Sequence, residues 1–399
     1  MKTRRAMLPC ITMSGAEHIG VIGGGVFGCA SAARLAGAGY RVSLFERHSG
    51  LLLGATRNCH NRLHIGCHYP RSPDTARQCI DGLDSFRALA PVCVCADFSS
   101  LYLVASAGSL TTSDQYARFC ASLGIQHSIL LPQDLAIDVL GCDIGIQCNE
   151  PVFEVDALRH ALQTRLVSLQ VALHCGSEVA KISRGSDGFF LHTTDAVHDV
   201  NAVVDCSYAD LNRLRCQLGH APVEYAFEYA VVPVLELDLP RQAVTVMDGP
   251  FCSLLPQGSS SRFLLYDVRC SRVESHQGTQ MDPRWRRRGT SPFSRMRHDT
   301  FLSSIVRSAA RFIPAVESAR LVEFLEGPRI LLPGRADDAR PSFMTRVEAG
   351  FFSVFSGKVS HASTVADSVL QGVREHFGRG CRPSHPGRSA SPTRRECTS

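Results

Sequence analysis

The residues with the clearest chemical potential are three glycines and one acid near the start of the chain. Gly23, Gly25 and Gly28 form the spacing G-x-G-x-x-G, and Glu46 follows them. The first glycine allows a tight turn, the second lets the backbone approach a pyrophosphate, and the third lets a helix pack against a strand. The carboxylate can accept hydrogen bonds from a ribose diol. The set predicts dinucleotide binding; the alternative is a glycine-rich turn without a ligand.

Three predicted elements position these residues. Ile19–Ile22 is a short apolar strand that the glycines interrupt, and Val26–Ala38 is an Ala- and Leu-rich segment typical of a helix packed closely on a sheet. Gly39 ends this helix, and Arg41–Phe45 forms a second apolar strand that leads into Glu46. The order of strand, glycines, helix, strand and acid is that of a nucleotide-binding βαβ unit.

A dense group of cysteines and histidines follows this unit. Its members are Cys59, His60, His64, Cys67 and His68. Thiolates and imidazoles are ligands that zinc prefers, but the spacing contains no C-x2-C pair. We therefore predict no metal site here. The pair Cys93-x-Cys95 is likewise not a C-x-x-C motif, which argues against a disulfide reductase.

The cysteine content of the whole chain indicates a reducing compartment. Seventeen cysteines are scattered over 399 residues, whereas secreted disulfide scaffolds are short and carry clustered cysteines in even number. The stretch MKTRRAMLPCITM starts with basic residues, but its apolar part is short and interrupted by Pro9, so a cleaved signal is not predicted. The expectation is a cytoplasmic protein with reduced thiols.

Composition excludes several classes of protein. Apolar residues make up 44% of the chain and charged residues 20%, as in ordinary globular proteins. No run approaches the ~18 apolar residues that a membrane span needs, so no transmembrane segment is predicted. The net charge of +5 is concentrated at the two ends: Lys2, Arg4 and Arg5 at one, and five arginines within 378–399 at the other. Because the remaining body is close to neutral, a nucleic-acid partner is not predicted.

Two further segments connect the chain to a known family. Gly54-Ala55-Thr56-Arg57-Asn58 follows the second strand, and Phe352–Ala362 reads FSVFSGKVSHA. With these segments the sequence resembles the D-amino-acid-oxidase superfamily of FAD-dependent oxidoreductases over about 18–376. The run Asn61–Tyr69 (NRLHIGCHY), with the spacing N-x-x-H-x-G-x-x-Y, is similar to the corresponding run of the branch that contains L-2-hydroxyglutarate dehydrogenase and glycerol-3-phosphate dehydrogenase.

The resemblance implies an α/β Rossmann-like FAD-binding domain interleaved with an α+β substrate domain built on a mostly antiparallel sheet. The β-rich block 224–269 suits the second domain. The expected division is an N-terminal extension (1–14), an FAD-binding domain (15–92, 146–220 and 322–378), a substrate domain (93–145 and 221–321) and a disordered basic tail (379–399).

The resemblance also implies which residues hold FAD. Thr56 would contact the pyrophosphate, and Val179 would hold the adenine through its backbone. Cys206-Ser207-Tyr208 stands where the family has A-T-G, so the contact there differs. No cysteine directly precedes Gly327-Pro328-Arg329, which favours non-covalent FAD. The predicted cofactor-binding residues are Gly23, Gly25, Val26, Phe27, Gly28, Glu46, Arg47, Thr56, Asn58, Val179, Gly357 and Lys358.

Four residues are predicted to be catalytic. By the resemblance, His64 and Tyr69 line the reaction cavity, and His64 has the chemistry of a base for a hydroxyl proton. Gly357 precedes a predicted helix and is expected to bring backbone N–H groups to the flavin, while Lys358 adds a positive charge that stabilises the reduced flavin. Arg329 suits a substrate carboxylate because its guanidinium is a planar fork; Arg340 is an alternative clamp.

The predicted reaction is hydride transfer from a C–N or C–O bond of a small amino or hydroxy acid to flavin N5. Flavin reoxidation by O2 or by an electron carrier is left open. Alternative readings are oxidation of an amino sugar or another secondary metabolite, a non-catalytic flavin-binding module, and an NAD-dependent dehydrogenase. The Arg-rich stretch 282–298, which contains Trp285, is interpreted as an exposed insertion loop rather than as an anion, RNA or membrane site.

Overall fold

The computed structural model describes residues 16–334 and 338–378. The predicted N-terminal extension (1–14) and basic tail (379–399) lie outside the described residues. None of the described helices is both long and apolar enough to cross a bilayer.

Seven α-helices and twenty strands are described, and two runs of consecutive strands, β8 to β12 and β13 to β17, contain no α-helix. The helices are α1 (Val26–Gly37), α2 (Pro73–Leu89), α3 (Ser113–Ser122), α4 (Val155–Ser168), α5 (Leu211–Gln217), α6 (His298–Ala310) and α7 (Ala362–His376). The strands are β1 (His18–Ile22), β2 (Arg41–Glu46), β3 (Val94–Cys95), β4 (Ser99–Ala105), β5 (Ser128–Leu130), β6 (Cys142–Cys148), β7 (Val152–Phe153), β8 (Ala172–Cys175), β9 (Lys181–Arg184), β10 (Phe189–His192), β11 (Val197–Val200), β12 (Ala202–Asp205), β13 (Tyr225–Glu236), β14 (Gln242–Met247), β15 (Cys252–Pro256), β16 (Arg262–Asp267), β17 (Arg272–Gly278), β18 (Arg320–Leu331), β19 (Phe343–Glu348) and β20 (Phe351–Phe355).

The first sheet has the strand order β19-β20-β12-β1-β2-β8. Its strands are parallel except β19, which runs antiparallel to β20. Its strands are buried on both faces: helices α1, α4 and α7 pack on one side through residues such as Leu35, Leu158 and Val369, and the small β9–β11 sheet packs on the other through residues such as Leu191. Burial on both faces explains why β1 and β2 are apolar runs rather than alternating ones.

The second sheet has nine strands in the order β17-β13-β16-β15-β14-β4-β6-β5, with β18 paired to β13. All its pairs are antiparallel except β14 with β4. The predicted class, a Rossmann-like domain combined with a mostly antiparallel substrate domain, is confirmed. The expected boundary at 322 is not: β18 (Arg320–Leu331) pairs along β13 and so belongs to the second sheet.

The Arg-rich stretch 282–298 is not a freely exposed loop. Short 3-10 turns lead from β17 to α6, and the ring of Trp285 is 2% exposed, packed edge-on against Tyr229 at 5.5 Å between centroids. Phe293 is also buried and stacks on His298. Apolar side chains thus fix this basic segment to the second domain, which the high arginine content concealed.

Candidate active site

A cavity of about 670 Å³ opens at the carboxyl ends of β1, β2 and β12 and extends to the second sheet. This is the edge at which open parallel sheets bind ligands. Its volume lies within the ~300–1,000 Å³ usual for cofactor and ligand sites. Residues from both domains line it: Gly23, Gly25, Val26, Phe27, Gly28, Glu46, Arg47, Thr56, Asn58, Glu178, Val179, Tyr208, Asp210, Arg213, Tyr229, Trp285, Arg286, Arg287, Glu326, Gly327, Gly357 and Lys358.

Each fingerprint glycine has a separate steric reason. Gly23 has φ +103°, and a Cβ there would lie 2.5 Å from the Cys206 carbonyl oxygen. A Cβ on Gly28 would lie 1.8 Å from the Gly23 carbonyl oxygen, so only glycine lets α1 approach β1 this closely. A Cβ on Gly25 would meet only Thr56 Oγ1, at an ordinary contact distance of 3.5 Å. Space beside Gly25 is therefore kept open toward the cavity.

Glu46 and Thr56 organise the loop around these glycines. The carboxylate of Glu46 accepts hydrogen bonds from the backbone N–H groups of Gly24, at 2.6 Å, and His48, at 2.8 Å. Thr56 Oγ1 accepts one from the N–H of Val26, at 3.2 Å. Because a carboxylate oxygen has more than one acceptor site, Glu46 retains capacity for ribose hydroxyls.

The lining residues fit an adenine dinucleotide such as FAD. Gly25, the N-cap of α1, has no side chain to cap the helix, so apart from Val26 N–H, which donates to Thr56, N–H groups of the first turn remain available to a pyrophosphate. Asn58 Oδ1 is buried without a hydrogen-bond partner among the described residues, and its residue faces the cavity. A buried, unsatisfied polar atom is uncommon, and a polar ligand in this cavity would satisfy it.

Lys358 follows β20 and lines the cavity. It is partly buried, its Nζ lies 3.3 Å from His64 Nε2, and it stands 5.0 Å from the centre of the Tyr69 ring. No ion pair joins it to a carboxylate within residues 16–334 and 338–378. Burial, helped by the nearby positive charge of Arg340, lowers the pKa of Lys358 to about 7.

His64 and Tyr69 are close to this lysine but do not line the cavity. His64 is 7% exposed and Tyr69 is 2% exposed, and both contact Lys358, which lines the cavity. Burial and the charge of Lys358 hold the pKa of His64 well below its usual range. The imidazole is therefore neutral at neutral pH. The expectation that these two side chains form the cavity surface is not met.

A buried polar network lies behind His64. Glu150 Oε2 is 3.8 Å from His64 Nδ1, and Glu150 Oε1 is 3.3 Å from Arg62 Nε. The hydroxyl of Tyr102 donates to Glu150 at 2.5 Å, and Arg62 Nη2 donates to Thr245 Oγ1 at 2.5 Å. Neither Arg62 nor Glu150 is predicted from the sequence as a site residue. Arg62 lies inside the NRLHIGCHY run, but its partner follows β6 and no local spacing connects the two.

Two predicted contacts have other partners in the structure. Arg329 Nε donates to Glu228 at 2.6 Å, and the Arg329 guanidinium also donates to the Tyr266 hydroxyl; Arg329 itself does not line the cavity. The backbone N–H groups of Gly357 and Lys358 donate to Ser342 Oγ at 2.7 and 3.3 Å. Both N–H groups thus have a protein partner, and Gly357 and Lys358 line the cavity.

A glycine fingerprint on a parallel sheet and an antiparallel sheet facing the same cavity define a dinucleotide-dependent oxidoreductase. The chain belongs to the DAO family, described as FAD dependent oxidoreductase, whose model matches residues 18–365. FAD is accordingly its cofactor, and the resemblance inferred from the loop and fingerprint residues is confirmed.

Similar proteins agree with this assignment. The chain is 28% identical over 359 residues to "FAD-dependent monooxygenase FPY4" of Fusarium mangiferae, covering 89% of this chain and 90% of the relative. It is 28% identical over 251 residues to "FAD-dependent monooxygenase kojA" of Aspergillus flavus, covering 60% and 58%. Glycine oxidase from Geobacillus kaustophilus shares the fold with a TM-score of 0.69 at 18% identity, covering 92% of this chain and 96% of that one.

Proposed function

We propose that the protein oxidises a C–N or C–O bond of a small amino or hydroxy acid. Bound FAD would supply the two-electron acceptor by taking a hydride at N5. The observation that carries the proposal is Lys358, a cation on the cavity wall in contact with His64. Reoxidation by O2 or by an electron carrier is consistent with the same site.

Lys358 is proposed to hold the acidic group of the substrate. Arg329 is paired with Glu228, and Arg62 with Glu150, so these two guanidinium groups are already compensated. A substrate carboxylate in the cavity would compensate Lys358 and favour its charged form, since an opposite charge nearby raises the pKa of an amine. Binding of the acid would thus couple to protonation of Lys358, and Arg329 would be a more distant contact.

His64 is proposed to accept a proton in the step that removes the proton of a substrate hydroxyl. Its Nε2 lies 3.3 Å from Lys358 Nζ, so the lysine would give one proton to the imidazole and take one from the substrate hydroxyl. Glu150, 3.8 Å from Nδ1, would stabilise the imidazolium that results. Tyr69 would bound the lysine from its ring face. An amine substrate needs no such base when it binds as the neutral amine.

Oxidation of an amino sugar or other secondary metabolite is the second candidate. A monooxygenase reaction is a further candidate, because the relatives FPY4 and kojA are named FAD-dependent monooxygenases. The candidates differ in the fate of oxygen. An oxidase reduces O2 to hydrogen peroxide, whereas a monooxygenase places one oxygen atom in the product, which mass spectrometry detects with ¹⁸O2.

The proposal is tested first by the absorbance of the purified protein and then by anaerobic reduction. Amino and hydroxy acids are added in turn, and loss of the flavin band near 450 nm is followed. We expect His64→Ala to slow reduction by a hydroxy acid by about 10²–10⁴-fold, the usual contribution of a general base. His160→Ala, an exposed histidine on α4, is the matched control. An unchanged rate in His64→Ala contradicts the role of His64, and flavin that no acid reduces supports a binding module.

A further inference from the structure

The Arg-rich segment between β17 and α6 reaches from the second domain to the nucleotide end of the cavity. Arg286 Nη1 donates to Glu178 Oε1 at 2.8 Å, and Arg286 Nη2 donates to Asp210 Oδ2 at 2.5 Å. Glu178 follows β8 beside Val179, and Asp210 follows β12. Both acids therefore belong to the nucleotide domain, and a single guanidinium joins them to the segment that carries Trp285.

Two more arginines complete an ion-pair cluster at this position. Arg47 lies 3.4 Å from Asp210, and Arg213 lies 3.7 Å from Glu178. The interdomain cluster thus consists of Arg47, Glu178, Asp210, Arg213 and Arg286, all of which line the cavity. Its three guanidinium groups outnumber its two carboxylates, and the exposed Arg287 beside it adds another cation to the cavity wall. This excess of positive charge suits an anionic dinucleotide.

Residues on both sides of Arg286 are packed or hydrogen-bonded within the second domain. These contacts fix the position from which Arg286 extends to the nucleotide domain. Trp285 packs against Tyr229 and His276, and the Asp282 side chain accepts from the N–H of Arg284. The hydroxyl of Ser291, which is fully buried, donates to Glu326. Burial alone would raise the pKa of Glu178, but the hydrogen bond and charge of Arg286 bring it below its ordinary value, so the acid is ionised at neutral pH.

We propose that Arg286 is a positioning residue that closes the nucleotide end of the cavity and slows the release of FAD. FAD leaving past Glu178 and Asp210 requires the cluster to open, because Arg286 spans the two acids. The cluster side chains are between 13% and 38% exposed, so salt reaches them and weakens the contact. Retention of FAD is therefore expected to depend on ionic strength. This role concerns the cofactor and does not depend on which substrate is oxidised.

The test compares Arg286→Gln with Arg284→Gln in the FAD-loaded protein. Arg284 lies in the same segment, but its partners Asp282 and Glu274 are both in the second domain and it does not line the cavity. FAD release is followed by flavin fluorescence after dilution, at low and high NaCl. We expect Arg286→Gln to release FAD roughly tenfold faster at low salt, consistent with loss of about 1.4 kcal/mol, and to show a weaker salt dependence than the wild-type protein.

Further variants separate positioning from a general structural effect. Arg286→Lys retains the charge and is expected to restore part of the slow release. Glu178→Gln leaves the Arg-rich segment intact and provides the same test if Arg286→Gln does not fold. In the double variant Arg286→Gln/Glu178→Gln, the increase in the rate of FAD release is expected to be smaller than the two single variants would give together, because both substitutions remove the same contact. Equal release rates for Arg286→Gln and Arg284→Gln, or an unchanged salt dependence, overturn the proposal.

Discussion

The glycine fingerprint, residues 23–28, is a backbone site without charged side chains, whereas the Lys358 end of the cavity is formed by charged side chains. At the first, Gly23, Gly25 and Gly28 act by having no side chain. At the second, Lys358 depends on His64 and the network behind it. A backbone site tolerates little added volume but carries few charges to balance. A charged site tolerates shape changes better and is sensitive to the loss of any one partner.

The largest effect is expected from a substitution that blocks the backbone site and leaves the charged site unchanged. Gly25→Leu would place a side chain in the open space beside Thr56, where the nearest contact of a Cβ is 3.5 Å. We expect a folded protein with no retained flavin, measured as the absorbance ratio near 450 and 280 nm. In Gly28→Leu the Cβ meets the Gly23 carbonyl at 1.8 Å, so this variant should lose both flavin and stability. A fully flavinated Gly25→Leu protein contradicts the assignment of the fingerprint.

The second-largest effect is expected from a substitution that removes one member of the charged network next to His64, and it is a loss of stability. Arg62→Ala leaves Glu150 buried without its guanidinium partner, and both side chains are at most 3% exposed. Removing one member of a buried ion pair costs about 3–5 kcal/mol. Denaturant unfolding at neutral pH measures this loss. Arg34→Ala, which breaks the exposed pair with Asp367, is the control and should cost at most about 1 kcal/mol. Similar losses in the two variants would show that burial does not distinguish these pairs.

The smallest expected effect is a gain in stability rather than a loss. Lys358 has a pKa of about 7 in the folded protein, below its ordinary value of 10.5, so the unfolded chain binds more protons between these two values. Stability therefore rises with pH across that window, and the contribution is unfavourable below it. Lys358→Met should remove this slope and stabilise the FAD-free protein at neutral pH by roughly 1–2 kcal/mol, since solvent screens a partly buried charge. Unfolding at pH 6, 8 and 10 measures it.

The same contrast explains how much could be predicted from the sequence. Gly23, Gly28 and Glu46 lie within one βαβ unit, where spacing alone defines their geometry, and the predicted cofactor and fold class are confirmed. The pairing of Arg62 with Glu150 joins segments that β4 to β6 separate along the chain. No short-range pattern encodes such a pairing. The catalytic roles of His64, Tyr69, Arg329 and Lys358 stay predictions.

The burial of Trp285 and the ion pairs of Arg286 could not be predicted from the composition of their segment. Many arginines in a short stretch predict solvent exposure, yet the tryptophan is buried and the neighbouring arginine spans two acids of the other domain. Residues next to each other in the sequence thus have different environments. The prediction of an exposed loop is therefore right for residues such as Arg287, Arg295 and Arg297 but wrong for Trp285 and Phe293.

The strand order of the first sheet determines when FAD can bind during synthesis of the chain. Ile19 of β1 pairs with Ala202 of β12, and Val203 pairs with Phe351 of β20. The fingerprint is thus translated early, while its sheet neighbours emerge much later. Contacts between such distant segments make folding slow, and unpaired apolar strands are prone to aggregation until their partners arrive. Cofactor capture is therefore a late event, and the early strands depend on protection from aggregation before it.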